Sequence, residues 1–553
     1  MKLLLRLLLD KKLSSLFSLV WALAILSCSY INKAEKRHEI QDIPAALKMP
    51  PQKVHLIETL ELNKAQKNNI EAEEKTGPEP VNITLSLEEC RALALKNNLE
   101  LQIQLISPAV SRESINEEKA RFEAVFSGTI EFTEIDSPQE TLLEGSREHA
   151  YMANLGVDIP LRTGGRLTFN HVDTRKSTAS MWSILNPYYY SGFEASISQP
   201  LLRNAGIRTN AYSIRMAQYN SRIVDAATKL KAIRILANLD IVYWRLYAAR
   251  KLLEIRKQQY DLSKVLFEQT KRFAEIGLKP KIEVLRTEAG MAERLDAIID
   301  AENDVRRTER SLKRMLNKNN LGMETNTLLI PSTPPDPIHY KFERHIVVKK
   351  AIENRMELLE LELRLAQDNE NIGYYKNQTL PLVVAEYKYN LHGLGGQRHR
   401  AYGMLTDNEY NDHNFSVFFS IPLNGNEAAK SNYRKAVYER SQRLATKESK
   451  EAEIRNEVLD QLDRLEAGFQ KILAARQVTL LRDRQYKTER KQYELGFSAS
   501  TDVMDSQTKF AEARIMEIIA VAEYQIALTD LAYATGTLLG SAKVEILPVI
   551  VKE

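Results

Sequence analysis

The sequence predicts a mainly α-helical chain that also carries β-strands able to cross a membrane, with one structural unit written twice. Three observations predict it. Long stretches lack helix breakers, short stretches alternate strictly between apolar and polar residues, and an apolar leader is followed by no second apolar run long enough for a helical span. At 553 residues the chain exceeds what one core can bury, so it should be multidomain or elongated. Charged residues make up 27% and aromatics 7%, which suits solvated helices better than a globular enzyme. The net charge of +4 comes without a basic block, which argues against a nucleic-acid partner.

The leader MKLLLRLLLDKKLSSLFSLVWALAILSC sets Lys2, Arg6, Lys11 and Lys12 ahead of an apolar run that stops at Cys28. That is the pattern of an export signal over 1–27. Ile25-Leu26-Ser27-Cys28 resembles a bacterial lipobox and makes Cys28 the expected lipidation site, although Leu26 is bulkier than that motif favours and a plain signal or membrane anchor is the alternative. Cys90 is the only other cysteine, so no intramolecular disulfide is expected. Residues 28–82 are polar and hold five prolines, Pro44, Pro50, Pro51, Pro78 and Pro80, as an N-terminal tether would.

The first repeat is placed at 83–320 and the second at 343–540, with a linker at 321–342 and a tail at 541–553. Asn97-Asn98-Leu99-Glu100-Leu101 returns as Asn354-Arg355-Met356-Glu357-Leu358. Ser198-Gln199-Pro200-Leu201 returns as Ser420-Ile421-Pro422-Leu423, and Ile276-Gly277-Leu278 as Leu495-Gly496-Phe497. The first copy carries roughly 35 additional residues before its proline, at about 151–189. Each copy reads as helix, alternating strands, very long helix, sharp turn and long helix.

From Ile207 to Ile276 there is neither Gly nor Pro, and from Asn426 to Leu495 only Gly468 intervenes. Unbroken helices of that length would reach on the order of 100 Å. Ala232, Ile235, Leu239, Val242, Leu246, Ala249 and Leu253 step by three and four, as do Val458, Leu462, Leu465, Phe469 and Ile472, so the helices should pack as coiled coils. The strands should fall at about 125–200 and 380–423. In NFSVFFSIPL, Phe415, Val417, Phe419 and Ile421 oppose Ser416 and Ser420. In the first copy Phe126, Ile130 and Phe132 oppose Ser127, Thr129, Glu131 and Thr133. Such runs fit tilted barrel strands of about 9–11 residues, and a half-buried sheet of a soluble domain has the same alternation. Four strands cannot close a barrel, so subunits must pool them. The inserted segment adds two more strands or a hairpin outside the membrane. His392 to His413 is read as an outward loop in which His392, His399 and His413 are solvated rather than metal-binding, and His392-Gly393-Leu394-Gly395-Gly396 as a plain glycine-rich loop.

Taken together, TLSLEECRALALKNN, SISQPLLRNAG, FSIPLNGN, IGLKPKIEVL and LGFSASTDVMD, in this order and duplicated, resemble the TolC-like outer-membrane efflux protein family over about 83–540. The resemblance implies a homotrimer whose strands form one barrel in outer-membrane lipid, continued by a helical tunnel in the periplasm. It also implies a periplasmic adaptor, or membrane fusion protein, and an inner-membrane pump or secretion ATPase as partners, with small molecules or secreted proteins as cargo. Gly277 and Gly496 then mark the hairpin turns, with Ser500 or Thr501 capping the returning helix. By motif the constricting carboxylates fall on Asp502 and Asp505, with a local electrostatic role at the helix N-terminus as the alternative for Asp502. Tyr493 and Glu283 match gating contacts, but the arginine of that link is Ser498 here, and Lys279 or Lys281 is left to supply charge. Leu278, Val284, Leu285, Phe497, Val503 and Met504 are the adaptor-contact candidates, with packing of the hairpin itself as the alternative. No cofactor is expected, and with no nucleophile elbow, phosphate loop or metal spacing the chain is not expected to be an enzyme. The rival from another class is a soluble periplasmic coiled-coil scaffold or adaptor.

Overall fold

The computed structural model describes residues 82–138, 145–318, 321–325 and 327–541; the leader, Cys28 and the tether lie outside the described residues. β1 (Asn82–Leu85) leads into α1 (Leu87–Asn97) and α2 (Leu99–Ala120). Ser86 and Glu89 form a reciprocal capping box that fixes where α1 starts. Four strands follow, β2 (Val125–Asp136), β3 (Arg147–Pro160), β4 (Arg166–Thr178) and β5 (Tyr188–Pro200), then the single turn α3 (Ile207–Asn210), α4 (Tyr212–Glu275) and α5 (Lys281–Leu316). The second pass runs β6 (Leu328–Pro331), α6 (Arg344–Asn354), α7 (Met356–Gln378), β7 (Leu382–Gly395), α8 (Arg398–Thr406), β8 (Tyr410–Ser420), α9 (Glu427–Glu494), α10 (Ser500–Ala534) and α11 (Leu538–Ser541).

The long helices arise where breakers are missing. α4 has 64 residues and α9 has 68, each on the order of 100 Å at 1.5 Å per residue. Gly468 does not interrupt α9, and a Cβ there would meet Tyr524 at 3.4 Å, an ordinary van der Waals distance, so the packing of α10 does not require glycine. The first long helix begins later than its composition suggests, because Ala211 leaves helical geometry between α3 and α4.

The seams predicted from stepping are the cores. Leu239, Leu246, Tyr243 and Trp244 of α4 meet Val305, Leu312 and Leu316 of α5 with Leu85 and Cys90. Ile454, Val458, Leu462, Leu465 and Ile472 of α9 meet Ala520, Tyr524, Leu531 and Ala534 of α10 with Ala351 and Leu358. Two short strands absent from the sequence reading, β1 and β6, pair in parallel and bring the start of the first copy beside the linker. Burial pushes the Cys90 thiol up to about 12, so it stays protonated and inert. Asp240, fully buried, takes both Arg91 Nε at 2.9 Å and Arg91 Nη2 at 2.5 Å, tying α1 to α4.

Candidate functional site

The remaining strands form a single antiparallel sheet in the order β2-β3-β4-β5-β7-β8. The inserted segment therefore supplies two full sheet strands, joined by the tight turn at Thr163-Gly164-Gly165, where Gly164 has φ 91°. Residues opposite one another share a face. Following the register, Phe415 lies opposite Tyr387, Tyr387 opposite Ile197, Ile197 opposite Leu167 and Leu167 opposite Ile159. With Phe126, Ile130, Phe132, Leu155, Val157, Phe193 and Phe419 they make one continuous apolar face. The other face carries Thr129, Asn154, Asp158, Asn170, Glu194, Glu386, Lys388 and Ser416.

Across β2 and β8 this apolar face is uncovered among the described residues. Ile130 is 88% exposed and Phe415 72%. The apolar band also climbs across the strands. The row through Phe132, at the top of the band on β2, passes Tyr151 and then Arg175, Tyr189 and Gly395, and runs off beyond the end of β8. A band oblique to the register is what strands tilted across a bilayer require. Among the described residues β2 and β8 each lack a neighbour on one side, so the sheet they form is open at both edges. Among the described residues no helix is long and apolar enough to cross a membrane.

At the far end of the helical pairs lie the two turns. Gly277 and Gly496 have φ 77° and 85°, and each closes its helix with the same pair of bonds. Leu278 N–H donates to Phe273 O and Gly277 N–H to Ala274 O, while Phe497 N–H donates to Gln492 O and Gly496 N–H to Tyr493 O. This is the Schellman closure, in which a left-handed residue lets the chain reverse without stranding the last carbonyls.

The two tips are bound to each other. The Glu283 carboxylate, on the first turn of α5, accepts from Ser500 N–H at 3.3 Å and from the Ser500 hydroxyl, so one hairpin supplies the anion at the N-terminus of the other hairpin's helix. Tyr493 is 1% exposed among Leu266, Tyr486 and Val503, and its hydroxyl is 2.7 Å from Thr270 Oγ1. Lys279 Nζ stands 5.0 Å from the Tyr493 ring centroid and 3.4 Å from Ser498 O. Tyr493 and Glu283 thus share the junction without a hydrogen bond between them. Lys279 thus brings a positive charge from the opposite turn beside Tyr493 and Ser498. Lys281 is exposed.

The capping expectation needs correction. Ser500 is the first residue of α10 and its hydroxyl is committed to Glu283, while Asp502 reaches back to Ala499 N–H and to the Ser498 hydroxyl, both at 3.3 Å. Asp502 therefore already holds a local role at the helix start. Asp505 pairs with Lys509 one turn on, at 2.6 Å. Both aspartates are exposed. Of the six predicted contact residues, Leu278, Leu285 and Phe497 are exposed at 68%, 61% and 82%, and Val284 is half-buried. Val503 is 2% exposed inside the tip core, which removes it from any outer contact surface. Met504 packs across to α5, its Cε where a Gly290 Cβ would fall. The sequence signal at these two positions was apolar character, which does not separate a hairpin core from a docking surface.

Residues 347–537 match the family described as outer membrane efflux protein. No curated protein matches the chain significantly. Among solved structures, the chain is similar to the CmeC outer membrane channel of Campylobacter jejuni, with TM-score 0.59 and 14% identity over 82% of this chain and 85% of that one. It is also similar to the outer membrane protein VceC of Vibrio cholerae, with TM-score 0.60 and 11% identity over 81% and 96%. The third likeness is to the open state of the Neisseria gonorrhoeae MtrE outer membrane channel, with TM-score 0.57 and 14% identity over 82% and 89%. The family match thus falls within the second copy of the repeat, and the likeness to solved channels extends over both copies. Its fold is that of the TolC-like outer-membrane channels.

Two features of this TolC-like fold are not visible in the sequence. The stretch His392 to His413 is not a loop: β7 runs through His392 to Gly395, α8 carries His399, and β8 carries His413. His392 Nε2 lies 2.8 Å from Asp412 and its Nδ1 2.8 Å from the Tyr190 hydroxyl. His413 Nδ1 lies 2.7 Å from the Tyr387 hydroxyl. The glycines of His392-Gly393-Leu394-Gly395-Gly396 have a packing cause. A Cβ on Gly393 would fall 1.9 Å from Ala401 O and one on Gly395 2.9 Å from Arg400 Cβ, so only glycine lets α8 lie flush on β7.

Proposed function

We propose that three copies of this chain pool their open sheets into one outer-membrane barrel of about 18 strands and their long helices into one water-filled tunnel beneath it. The observation that carries the reading is the six-stranded sheet with a continuous, exposed apolar face, a polar opposite face and two unpaired edges. A chain that exposes Ile130, Phe415 and Phe419 in this way needs lipid on that side, and its edge strands β2 and β8 need each other across subunits. A soluble scaffold would leave both needs unmet. The assembly exports solutes or secreted proteins together with a periplasmic adaptor and an inner-membrane pump, and Cys28 adds a lipid anchor.

The tip is the gate. The Glu283–Ser500 bonds and the Lys279–Tyr493 stacking hold the two hairpins together in the narrow state, and separating them widens the passage. Leu278, Leu285 and Phe497 offer the adaptor its apolar contact. Asp502 and Asp505 line the constriction, with the charge of Asp505 offset by Lys509. Purified protein should migrate as a trimer in detergent and conduct in planar bilayers with cation preference. Asp502→Ala should weaken that preference more than Asp505→Ala. Absence of conductance refutes the channel, and unchanged selectivity in Asp502→Ala refutes the constriction.

A further inference from the structure

The helix α8 lies on the apolar face of the sheet, not on the polar one. Every residue it touches there belongs to the apolar register: Gly393 and Gly395 under Ala401 and Arg400, Asp173 at 3.0 Å from Arg398, His171 at 3.0 Å from the Tyr402 hydroxyl, and the Tyr189 ring 5.7 Å from the Arg398 guanidinium. These positions directly follow the apolar residues Leu391 on β7, Phe193 on β5 and Phe169 on β4. The helix therefore sits on the lipid side of the wall, just past the end of the hydrophobic band. It is at the end of the sheet away from the long helices, because β5 and β8 enter those helices from their opposite ends.

Its outer surface has the chemistry of a membrane interface. His399 and Arg400 are exposed, and within α8 there is no acidic residue; Asp407 and Glu409 follow its C-terminal end. Beside it, the loop between β4 and β5 presents Met181, Trp182 and Ile184 at 85%, 69% and 97% exposure. The same loop is held against the start of α8 by Leu185, which is 3.4 Å from where a Gly396 Cβ would lie. Exposed Trp beside Arg, at the border of an apolar band, is the arrangement that places a ring at headgroup depth and a cation against phosphate.

We propose that α8 and the Met181–Ile184 loop form a seat for the anionic, phosphate-bearing headgroups of the outer leaflet, with Trp182 and its neighbours entering the upper acyl region and Arg400 with His399 contacting phosphate. Resting on the barrel reading above, this assigns the occupant of an otherwise solvent-exposed apolar loop. The occupant is a membrane surface because the patch continues the lipid-facing band, and because a helix seated there is kept in register by two glycines rather than left free.

The test uses the full-length protein reconstituted in vesicles of phosphatidylcholine alone or with phosphatidylglycerol. In a Trp21→Phe background, brominated acyl chains should quench a large part of the tryptophan emission, and Trp182→Tyr should remove that quenchable part, since the remaining Trp244 is buried in the helical core. Phosphatidylglycerol should raise the unfolding temperature of the wild type, and that rise should vanish in a His399→Gln, Arg400→Gln variant whose single-channel conductance is unchanged. Normal conductance with no quenching assignable to Trp182 overturns the seat and leaves the channel standing. Equal stabilisation by inorganic phosphate in phosphatidylcholine vesicles overturns the membrane as occupant. Loss of both conductance and quenching in the wild type overturns the barrel reading and the seat with it.

Discussion

Replacing Glu283 by alanine should open the tunnel without unfolding it. The Glu283 carboxylate is the acceptor for two donors of Ser500, its backbone N–H at 3.3 Å and its hydroxyl, and the residue is only 8% exposed. Arg286, 3.4 Å away, retains solvent as an alternative partner. A hydrogen bond to a charged group contributes about 1.5–3 kcal/mol, and a buried donor left without an acceptor costs about 1–3 kcal/mol. The two bonds share one carboxylate and both end at one residue, so the combined loss is placed at about 2–3 kcal/mol. At 1.4 kcal/mol per tenfold, the ratio of open to closed tips should rise by about 30- to 150-fold. The assay is the open fraction in single-channel recordings from planar bilayers. Glu283→Gln keeps one acceptor and should fall between wild type and Glu283→Ala, and Ser500→Ala, which loses only the hydroxyl, should shift less than either. If hydrogen exchange across 279–502 shows the contact released while the open fraction is unchanged, the junction is structural and the gating argument is wrong.

Three further outcomes follow from the same structure. Arg91→Met leaves the Asp240 carboxylate buried without its partner and should cost about 3–5 kcal/mol, with Asp240→Leu recovering much of it in the double variant. Burial pushes Asp240 up against the opposing pull of Arg91, so between the ordinary and the raised carboxyl range the folded chain binds more protons than the unfolded one. Stability of Arg91→Met should therefore be highest below about pH 4 and fall as pH rises through the raised carboxyl range, and thermal unfolding in detergent that is flat with pH would contradict this. Ile130→Lys places a charge on the lipid face and should cost about 2–4 kcal/mol of barrel stability near the midplane, whereas Thr129→Lys on the polar face should be near neutral in heat-modifiability on gels. Gly496→Val forces a β-branched residue to φ 85° and should destabilise the turn by more than 1 kcal/mol, seen as faster proteolysis at the tip; equal proteolysis would show the turn relaxes freely.

How much of this was legible in the chain depended on whether the cause was local. Period-two alternation and steps of three and four are set by neighbours along one element, so the strands, the seams Leu239–Leu246 and Ile454–Ile472 and the turns at Gly277 and Gly496 could be read directly. The strand count could not, because 147–178 alternates whether it pairs in the sheet or stands apart, and only its register with β2 and β5 decides. The same holds for α8, a nine-residue helix whose place depends on two glycines of β7 that match no motif when read in order.

At the tip, sequence alone determined that two glycine turns close two helical pairs and which polar residues gather there, since φ and capping are properties of a few consecutive residues. Which of those residues meet was a tertiary matter. Glu283 finds Ser500 and Tyr493 finds Thr270 across more than two hundred residues of chain, and Lys279 comes from the opposite turn to stand over Tyr493. Whether Val503 faced a partner or the core was likewise decided by the rotation of α10 against α4 and α9, because an apolar side chain carries no direction until a second helix covers it.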